Sequence, residues 1–215
     1  MSLDFELLRK RMVDEQIESR GIKDAAVLEA FRKVPRERFV PDHIRSAAYE
    51  DHPLSIGFGQ TISQPYIVAL MTEVLAPCAG EKILEVGTGS GYQAAILAFL
   101  GAKVYSVERL PDLGKRASQA FKDLGLEVEV LIADGSLGWQ EKAPFSGIMI
   151  TAASYKIPQP LLDQLDDRAR MVVPLGGELS QTLTKIEKDR SGAVTEEKVC
   201  GCVFVPLIGR HGFKQ

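Results

Sequence analysis

Glycine alternates with small polar residues directly after the apolar run at 82–86. The run predicts a strand, and the residues after the glycines predict a helix that continues to Leu100. Glycines at such a turn let the backbone approach a ligand closely and adopt positive φ angles. The first strand-to-helix crossover of a parallel sheet is also where nucleotide-like ligands bind. The segment therefore predicts a cofactor-binding turn formed by Gly87, Thr88, Gly89, Ser90 and Gly91.

Acidic side chains stand at the ends of three successive predicted strands, as Glu85, Glu108 and Asp134. A carboxylate in the second position can accept hydrogen bonds from both hydroxyls of a ribose. Asp134, which is followed by Gly135, is expected to reach the edge of an adenine. Arg109, next to Glu108, completes the predicted cofactor site.

The glycine spacing and the first acid distinguish two classes of cofactor. The spacing is Gly-x-Gly-x-Gly, whereas dinucleotide folds use Gly-x-Gly-x-x-Gly. A dinucleotide would place its pyrophosphate beside Glu85, where the two negative charges repel each other. S-adenosylmethionine has no phosphate and carries an ammonium and a sulfonium, which suit Glu85 directly or through a water. The pattern therefore predicts an S-adenosylmethionine site.

Alternating strand and helix patterns after Gly80 would position these residues. They predict a doubly wound α/β fold with a mostly parallel sheet and a closing antiparallel pair. The predicted strands cover 82–86, 103–107, 127–132, 147–151, 169–175, 181–187 and 199–207, the last two joined across 189–192. The predicted helices between them run to Leu100, over 111–124 and over 159–165.

Residues 1–79 are predicted to form a helical and substrate-loop region that packs on a core of residues 80–215, in a single structural domain. Helices are expected over 3–19, from an Asp24 N-cap to Lys33, and over 65–75, where Pro65 opens the helix. The first helix repeats Leu7, Met12 and Ile17 near helical spacing. Residues 35–59 are expected to form a loop with a short helix around 42–48.

Composition argues against several classes of partner. The chain has 215 residues, of which 45% are hydrophobic and 26% charged, and its net charge is -3. Nucleic-acid and membrane partners both favour a basic face, so we expect neither. The longest apolar run, Ala94 to Leu100, is shorter than the roughly 20 residues that span a bilayer.

The histidines and cysteines predict no metal site. His43, His52 and His211 lack the spacing of metal ligands. Cys78, Cys200 and Cys202 are expected to be core thiols, which is compatible with a reducing cytoplasm. The first residues lack the apolar segment of a signal peptide. We therefore expect a cytoplasmic protein.

The chain resembles the protein-L-isoaspartate (D-aspartate) O-methyltransferase family over nearly its whole length. The glycine turn is shared by most methyltransferases of this fold, whereas GQTISQP (59–65) carries the family assignment. Where relatives usually have Gly-Asp-Gly, this chain has Ala133 before Asp134 and Gly135. The matching segments are VPRERFVP (34–41), AYEDHPLSIGFGQTISQPYIVALM (48–71), ILEVGTGSGYQAAILA (83–98), VYSVER (104–109), ADGSLGW (133–139), APF (143–145), ITAA (150–153), RMVVPLG (170–176) and FVPLIG (204–209).

The resemblance implies a Rossmann-like S-adenosylmethionine-dependent methyltransferase fold and a substrate. The acceptor would be the free α-carboxylate of an isoaspartyl residue, or the side-chain carboxylate of a D-aspartyl residue, in proteins and peptides. The resemblance also implies that Ser63 contacts this carboxylate and that Thr61, Ile62 and Ser63 cover the methionine end of the cofactor. A monomer is expected.

The chemistry that this reaction needs is modest. A carboxylate with a pKa near about 4 is already ionised at neutral pH, so no general base is required. Positioning and desolvation are then the enzyme's main contributions. Ser63 could donate one hydrogen bond that fixes the acceptor oxygen. Alternatively, it could cap the helix that begins at Pro65.

Other functions remain open at this stage. A methyltransferase of the same fold could act on a small-molecule carboxylate or hydroxyl, and a non-catalytic module could simply bind an adenosine ligand. A dehydrogenase is disfavoured by Glu85 and by the glycine spacing. Trp139 could pack near the purine or belong to the core.

Overall fold

A computed structural model describes residues 3–214 of the chain. A seven-stranded sheet forms its centre, and a two-stranded hairpin lies within the N-terminal region. The α-helices are α1 (Phe5–Arg11), α2 (Ala25–Lys33), α3 (Pro65–Leu75), α4 (Tyr92–Phe99), α5 (Pro111–Leu124) and α6 (Gln159–Asp163). The strands are β1 (Leu54–Gly57), β2 (Gln60–Ile62), β3 (Lys82–Val86), β4 (Lys103–Glu108), β5 (Val128–Ile132), β6 (Phe145–Ile150), β7 (Leu165–Gly176), β8 (Gln181–Lys188) and β9 (Val194–Cys202).

The large sheet has the strand order β5-β4-β3-β6-β7-β8-β9. Strands β3 to β7 pair in parallel, and β8 is antiparallel to both of its neighbours. The chain moves outward in one direction from β3 to β5 and then returns to β6 on the other side of β3. Ligands of open α/β sheets bind at the carboxyl ends of the strands at such a reversal. The predicted fold class is confirmed, and the sheet brings the ends of β3, β4 and β6 together.

Local sequence explains why the helices begin where they do. The Asp24 carboxylate accepts hydrogen bonds from the N–H groups of Ala26 (2.8 Å) and Val27 (3.0 Å), as an N-cap does. Pro65 and Pro111 occupy the first positions of α3 and α5, where the missing N–H costs no intrahelical bond.

Each face of the sheet is covered by a separate apolar cluster. On one face Ile83 and Val104 pack beneath helices α2 to α5. On the other face Leu84 and Val86 pack with Leu161 of α6 and with residues that follow β9. The first cluster contains residues from both the 1–79 region and the 80–215 region, so the N-terminal helices complete the hydrophobic core of the sheet.

The N-terminal helix and the predicted loop differ from expectation. After α1 the helix continues with π-type hydrogen bonds over Met12–Ile17 and a 3₁₀ turn over Glu18–Arg20. Met12 and Ile17 are buried, but Leu7 is exposed, so the expected stripe is incomplete. The hairpin β1–β2 lies inside the segment predicted as a loop, because strands of four and three residues are too short to show an alternating pattern.

The last strand is also displaced from its predicted position. Strand β9 covers 194–202, and residues 203–207 leave the sheet instead of continuing it. The N–H of Ala153 donates to Val205 O and the N–H of Leu207 donates to Ala153 O, each at 2.8 Å, so this segment crosses the end of β6. Cys78 is exposed and Cys200 and Cys202 are half-buried, so the expectation of core thiols is wrong for Cys78.

Neither a membrane span nor a metal cluster is found in residues 3–214. No helix there is both long and apolar enough to cross a bilayer. No group of three or more His, Cys, Asp or Glu side chains in the same range is placed to hold a metal ion.

Candidate active site

A cavity lies at the carboxyl ends of β3, β4 and β6, and we call it the first cavity. All of the predicted site residues line it except Gly91 and Asp134. Its walls are formed by Gln60, Thr61, Ile62 and Ser63, by Glu85 to Ser90, by Val107 to Leu110, by Val205 to Ile208, and by Val68, Met71, Tyr92, Gln93, Gly135, Thr151 and Ala152.

The first glycine of the turn lets the end of β6 approach closely. Gly87 has φ 97°, and a Cβ placed on it would lie 2.6 Å from Oγ1 of Thr151. That hydroxyl donates to Gly87 O at 2.6 Å, and the N–H of Thr151 donates to Val86 O at 3.0 Å. Any side chain at position 87 would displace Thr151 and the turn together.

The third glycine serves packing instead of lining the cavity. Gly91 has φ 89°, and a Cβ there would lie 2.8 Å from Cζ of Phe121 and 3.0 Å from Cβ of Ala117. Helix α5 therefore packs directly against the turn because residue 91 has no side chain. A ligand contact by Gly91 stays a prediction.

Glu108 holds the turn and faces the cavity at once. Its Oε2 accepts a hydrogen bond from Gly89 N and its Oε1 accepts one from Leu110 N, both at 2.8 Å. The side chain is buried. Since a carboxylate has about four acceptor sites, two of them remain for ligand hydroxyls.

Glu85 lies beneath the turn with no exposed surface. Ser106, its register partner on β4, donates to one carboxylate oxygen, and Thr88 Oγ1 lies 2.5 Å from the same Ser106 hydroxyl. The other oxygen, Oε1, has no hydrogen-bond partner in the described part of the chain. Burial, together with the nearby charge of Glu108, raises the pKa of Glu85 to about 8.

These features fit a cationic ligand with no phosphate at the turn. An unpartnered buried carboxylate oxygen is stabilised by a nearby positive charge or a donor. A phosphate would instead place a further negative charge beside Glu108 and oppose the ionisation of Glu85. S-adenosylmethionine meets both conditions.

The segment 61–63 forms the opposite wall of the first cavity, and its conformation bears on the role of Ser63. The N-cap of α3 is Gln64, whose side chain donates to Asp51 O (3.0 Å) and Asp51 Oδ1 (2.9 Å). Among residues 3–214 the Ser63 hydroxyl has no hydrogen-bond partner. Ser63 is therefore not the helix cap, and its hydroxyl is available to a ligand.

A second cavity adjoins the first on the far side of Ser63. It is lined by Pro53, Thr61, Ser63, Gln64, Ile67, Thr151, Gly201, Cys202, Val203, Phe204 and Val205. Thr61, Ser63, Thr151 and Val205 line both cavities. None of these described lining residues carries a charge. A group that enters the second cavity therefore meets the first cavity at these four shared residues, of which Ser63 is one.

Asp134 is turned away from the first cavity. Its Oδ1 accepts bonds from Ser136 N (2.9 Å) and Ser136 Oγ (2.7 Å), and its Oδ2 accepts one from Arg210 N (2.7 Å). Ser136 Oγ also accepts a bond from His211 N at 3.0 Å. Partial burial favours a raised pKa, but the bonds from Arg210 and Ser136 outweigh it and hold the pKa of Asp134 below its usual value. Asp134 thus anchors the segment 205–211, and a direct adenine contact stays a prediction.

The anchoring role predicts the effect of replacing Asp134. Asp134→Ala should weaken cofactor binding several-fold, on the order of 1 kcal/mol, because residues 205–208 line the first cavity and would lose an anchor. Calorimetric titration would measure the affinity, and limited proteolysis should cleave the variant near its C-terminal segment. Ser136→Ala removes the His211 bond but keeps the carboxylate. An unchanged affinity in Ser136→Ala beside a large loss in Asp134→Ala would favour direct adenine contact instead.

Several lining residues were not predicted as site residues. Thr151 and residues 205–208 lie in segments that matched the family pattern, ITAA and FVPLIG, but nothing in their chemistry marked them as cavity residues. Trp139 packs against Tyr105 with ring centroids 5.8 Å apart and is not among the residues that line the first cavity. Its place near a purine is therefore not supported, and it belongs to the apolar cluster of the sheet.

Known proteins resemble this chain throughout its length. The family model described as Protein-L-isoaspartate(D-aspartate) O-methyltransferase matches residues 8–212. Protein-L-isoaspartate O-methyltransferase of Geobacter metallireducens is 50% identical over 212 residues, which cover 98% of each chain. Protein-L-isoaspartate O-methyltransferase 1 of Syntrophobacter fumaroxidans is 52% identical over 213 residues, which cover 99% of each chain.

Solved structures share the fold. A protein-L-isoaspartate O-methyltransferase superposes with a TM-score of 0.86 at 27% identity, covering 95% of this chain and 67% of the other. A Plasmodium falciparum chain solved in complex with S-adenosyl-L-homocysteine has a TM-score of 0.80 at 23% identity, and covers 96% of this chain and 99% of its own length. At that identity the second similarity supports the fold alone.

Proposed function

The chain belongs to the protein-L-isoaspartate(D-aspartate) O-methyltransferase family, and from that premise we propose a role for each cavity. The first cavity holds S-adenosylmethionine, and the second admits the free carboxylate of an isoaspartyl or D-aspartyl residue. The protein is thus an S-adenosylmethionine-dependent methyltransferase that acts on damaged proteins and peptides. The observation that carries this assignment is that Ser63, with a free hydroxyl, lines both cavities.

The residues of the chain supply position and desolvation. S-adenosylmethionine provides a methyl group on a sulfonium sulfur, which a carboxylate oxygen can displace directly. The Ser63 hydroxyl donates a hydrogen bond to the acceptor carboxylate, leaving the other lone pairs free to react. The uncharged walls of the second cavity remove water from that carboxylate without pairing it tightly to a cation. No general base is needed, because the acceptor is ionised at neutral pH.

In the first cavity, Glu108 would accept hydrogen bonds from the ribose hydroxyls. Thr88, Gly89 and Ser90 form the turn around the methionine part. Glu85 lies beneath this turn and supplies negative charge there once the cationic ligand has favoured its ionised form. We keep Arg109 and Gly135 in the proposed binding set because both line the same cavity.

The methyl ester explains why methylation leads to repair. In the ester, methoxide is a better leaving group than the oxide of a free carboxylate. The neighbouring backbone amide nitrogen attacks the ester carbonyl, methanol leaves, and a succinimide closes. Water then opens the succinimide, and part of the product is the normal aspartyl linkage. The later steps follow from the chemistry of the ester without further catalysis.

A matched pair of peptides tests the function. Each contains the same residues, one with isoaspartate and the other with normal L-aspartate at a single position. After incubation with methyl-labelled S-adenosylmethionine, we expect label to be released as methanol by mild base only from the isoaspartyl peptide. No label in either peptide, with cofactor binding intact, would instead support a small-molecule methyltransferase or an adenosine-binding module.

The role of Ser63 can be tested separately. Ser63→Ala should lower kcat about ten- to a hundredfold, because a hydrogen bond to a charged group is worth about 1.5–3 kcal/mol, while cofactor affinity stays nearly unchanged. Steady-state kinetics and titration calorimetry measure the two quantities. Ser118→Ala is the matched control, since the Ser118 hydroxyl donates to Gly114 O (2.8 Å) within α5. Full turnover in Ser63→Ala would remove Ser63 from the mechanism.

The setting of the protein is also part of the proposal. We place it in the cytoplasm as a monomer without nucleic-acid or membrane partners. A net charge of -3 and three free thiols support this placement. Because one apolar cluster joins the 1–79 and 80–215 regions, we also propose that they fold as a single unit. Light scattering and a thermal unfolding curve with one transition would test these two points.

A further inference from the structure

A buried arginine lies behind the Ser63 segment and takes no part in the roles assigned above. Arg36 has no exposed surface. Its Nε donates to Ala48 O and its Nη2 donates to Ser63 O, both at 2.7 Å, and its guanidinium lies 4.9 Å from the centroid of the Tyr92 ring. Nη1 has no hydrogen-bond partner among residues 3–214.

The positive charge of Arg36 is not neutralised by a carboxylate. No acidic side chain of the described residues lies within ion-pair distance of it. The adjacent Glu37 is engaged elsewhere, since it pairs with Arg9 and accepts a hydrogen bond from Tyr49. Burial lowers the pKa of Arg36 to about 10, so the guanidinium is still protonated at neutral pH. A buried cation without a partner is costly, and such groups persist where a function requires them.

The bond to Ser63 O also sets the direction of a peptide group. The C=O and N–H of a trans peptide point in opposite directions, so holding Ser63 O turns the N–H of Gln64 away from Arg36. In the part of the chain that the structure describes, this N–H donates to no acceptor. Ser63 and Gln64 both line the second cavity, whereas Arg36 does not.

We propose that Arg36 is the positioning residue of the acceptor site. It fixes the Ser63–Gln64 peptide so that the Ser63 hydroxyl and the Gln64 N–H face the acceptor carboxylate. The positive charge of Arg36 also favours the binding of an anion in the second cavity, whose lining residues are uncharged. The guanidinium does this without touching the oxygens of the acceptor carboxylate. This inference rests on the proposed function, because it assumes that the acceptor carboxylate enters the second cavity.

The experiment compares a charged and a neutral ligand. In the presence of S-adenosyl-L-homocysteine, which has no methyl group to transfer, the binding affinity of two peptides is measured. One is an isoaspartyl peptide, and the other is the same peptide with its free carboxylate replaced by a carboxamide. We expect the wild type to prefer the charged peptide. Arg36→Met should reduce that preference about tenfold, because it removes the charge and both donated bonds, and should leave affinity for S-adenosyl-L-homocysteine unchanged.

Arg170 provides the matched control. It is another largely buried arginine whose guanidinium donates to backbone carbonyls, those of Leu75, Ala76 and Ser146. It differs from Arg36 because it pairs with Glu81 and lies away from both cavities. Arg170→Met should lower thermal stability and keep the peptide preference. A folded Arg36→Met protein that also keeps the preference overturns the inference. If instead the wild type shows no preference, the proposed function fails first.

A second variant serves if Arg36→Met does not fold. Arg36→Lys keeps the charge but cannot hold both carbonyls in the geometry of the guanidinium. We expect kcat to fall several-fold, and the double variant Arg36→Lys/Ser63→Ala to lose less than the product of the two single losses, since both act on one hydrogen bond. If the fold-loss of kcat in the double variant equals the product of the losses in the two single variants, the two residues act independently and the positioning role is overturned. An unchanged kcat in Arg36→Lys would also overturn it.

Discussion

Replacing Glu108 with alanine should weaken S-adenosylmethionine binding by about a hundredfold. Each hydrogen bond to a charged group contributes about 1.5–3 kcal/mol, and two ribose hydroxyls would lose their acceptor, giving about 3 kcal/mol. The same carboxylate accepts bonds from Gly89 N and Leu110 N, so the variant also releases the glycine turn from the end of β4. Titration calorimetry with S-adenosylmethionine and S-adenosyl-L-homocysteine should show a similar loss for both, because they share the ribose.

A second glutamate makes the comparison specific. Glu73 also accepts two backbone hydrogen bonds, from Lys23 N (2.7 Å) and Asp24 N (2.8 Å), but lies outside the first cavity. Glu73→Ala should reduce stability without changing cofactor affinity. An unchanged affinity in Glu108→Ala would contradict the assignment of Glu108 to the ribose.

Replacing Glu85 with glutamine should change how stability depends on pH. The pKa of Glu85 is raised by burial from the ordinary 4.5 to about 8 in the folded protein. Below pH 4.5 the group is neutral in both states, and as pH rises toward 8 only the unfolded chain ionises it, so folding loses stability. Since one pKa unit corresponds to about 1.4 kcal/mol, the loss is on the order of 5 kcal/mol across that window. Glutamine cannot ionise, so the Glu85→Gln variant does not lose this stability. Its free energy of unfolding should therefore rise relative to that of the wild type by this amount between pH 4.5 and 8.

Denaturant unfolding of the ligand-free protein at several pH values measures the difference. Glu81 gives a control of opposite sign, because burial opposes ionisation there but the Arg170 bond and charge outweigh it and lower the pKa of Glu81. Glu81 therefore stabilises the folded protein above the pKa that it has in the unfolded chain. This contribution is lost as the pH falls through the lower pKa of the folded state. If the free energy of unfolding changes with pH in the same way for Glu85→Gln and the wild type from pH 4.5 to 8, Glu85 is already ionised before any ligand binds.

The same pKa shift should appear in cofactor binding. A cationic ligand favours the ionised form of Glu85, so binding near neutral pH should release close to one proton from that side chain. Calorimetry in buffers with different ionisation enthalpies counts these protons. The Glu85→Gln variant should release fewer protons than the wild type when S-adenosylmethionine binds.

Much of the architecture could be predicted from local patterns in the sequence. Apolar runs separated by helical patterns gave the strands β3 to β8 near their observed bounds, because β-strands buried on both faces and amphipathic helices have different periods. Pro65 and Asp24 marked helix starts, since the cost of a missing N–H and the gain of a side-chain cap are local effects. The acids Glu85 and Glu108 could be placed at one edge because parallel strands all end there.

The sequence was less informative where a residue's partner lies far along the chain. Asp134 has the same local setting as Glu108, yet its carboxylate binds the backbone of Arg210, which no spacing rule places beside it. Gly91 belongs to the glycine pattern, but what requires it is the ring of Phe121 on α5. The chain after β9 crosses β6 instead of extending the sheet, and this places residues 205–208 in the first cavity.

Ser63 shows most clearly the difference between what the sequence determines and what only the tertiary structure determines. Its position before Pro65 was compatible with either a helix cap or a ligand contact, because both roles need only a hydroxyl at that point in the chain. The cofactor class and the fold followed from residue types and their spacing, since those depend on local periodicity and on the charge of a few side chains. The reaction followed only from the resemblance of GQTISQP (59–65) and the other matching segments to a known family. The tertiary structure excluded the cap, placed Ser63 between two cavities, and set the buried charge of Arg36 behind it. These are contacts between segments distant in sequence, and only the packing of the folded core fixes them.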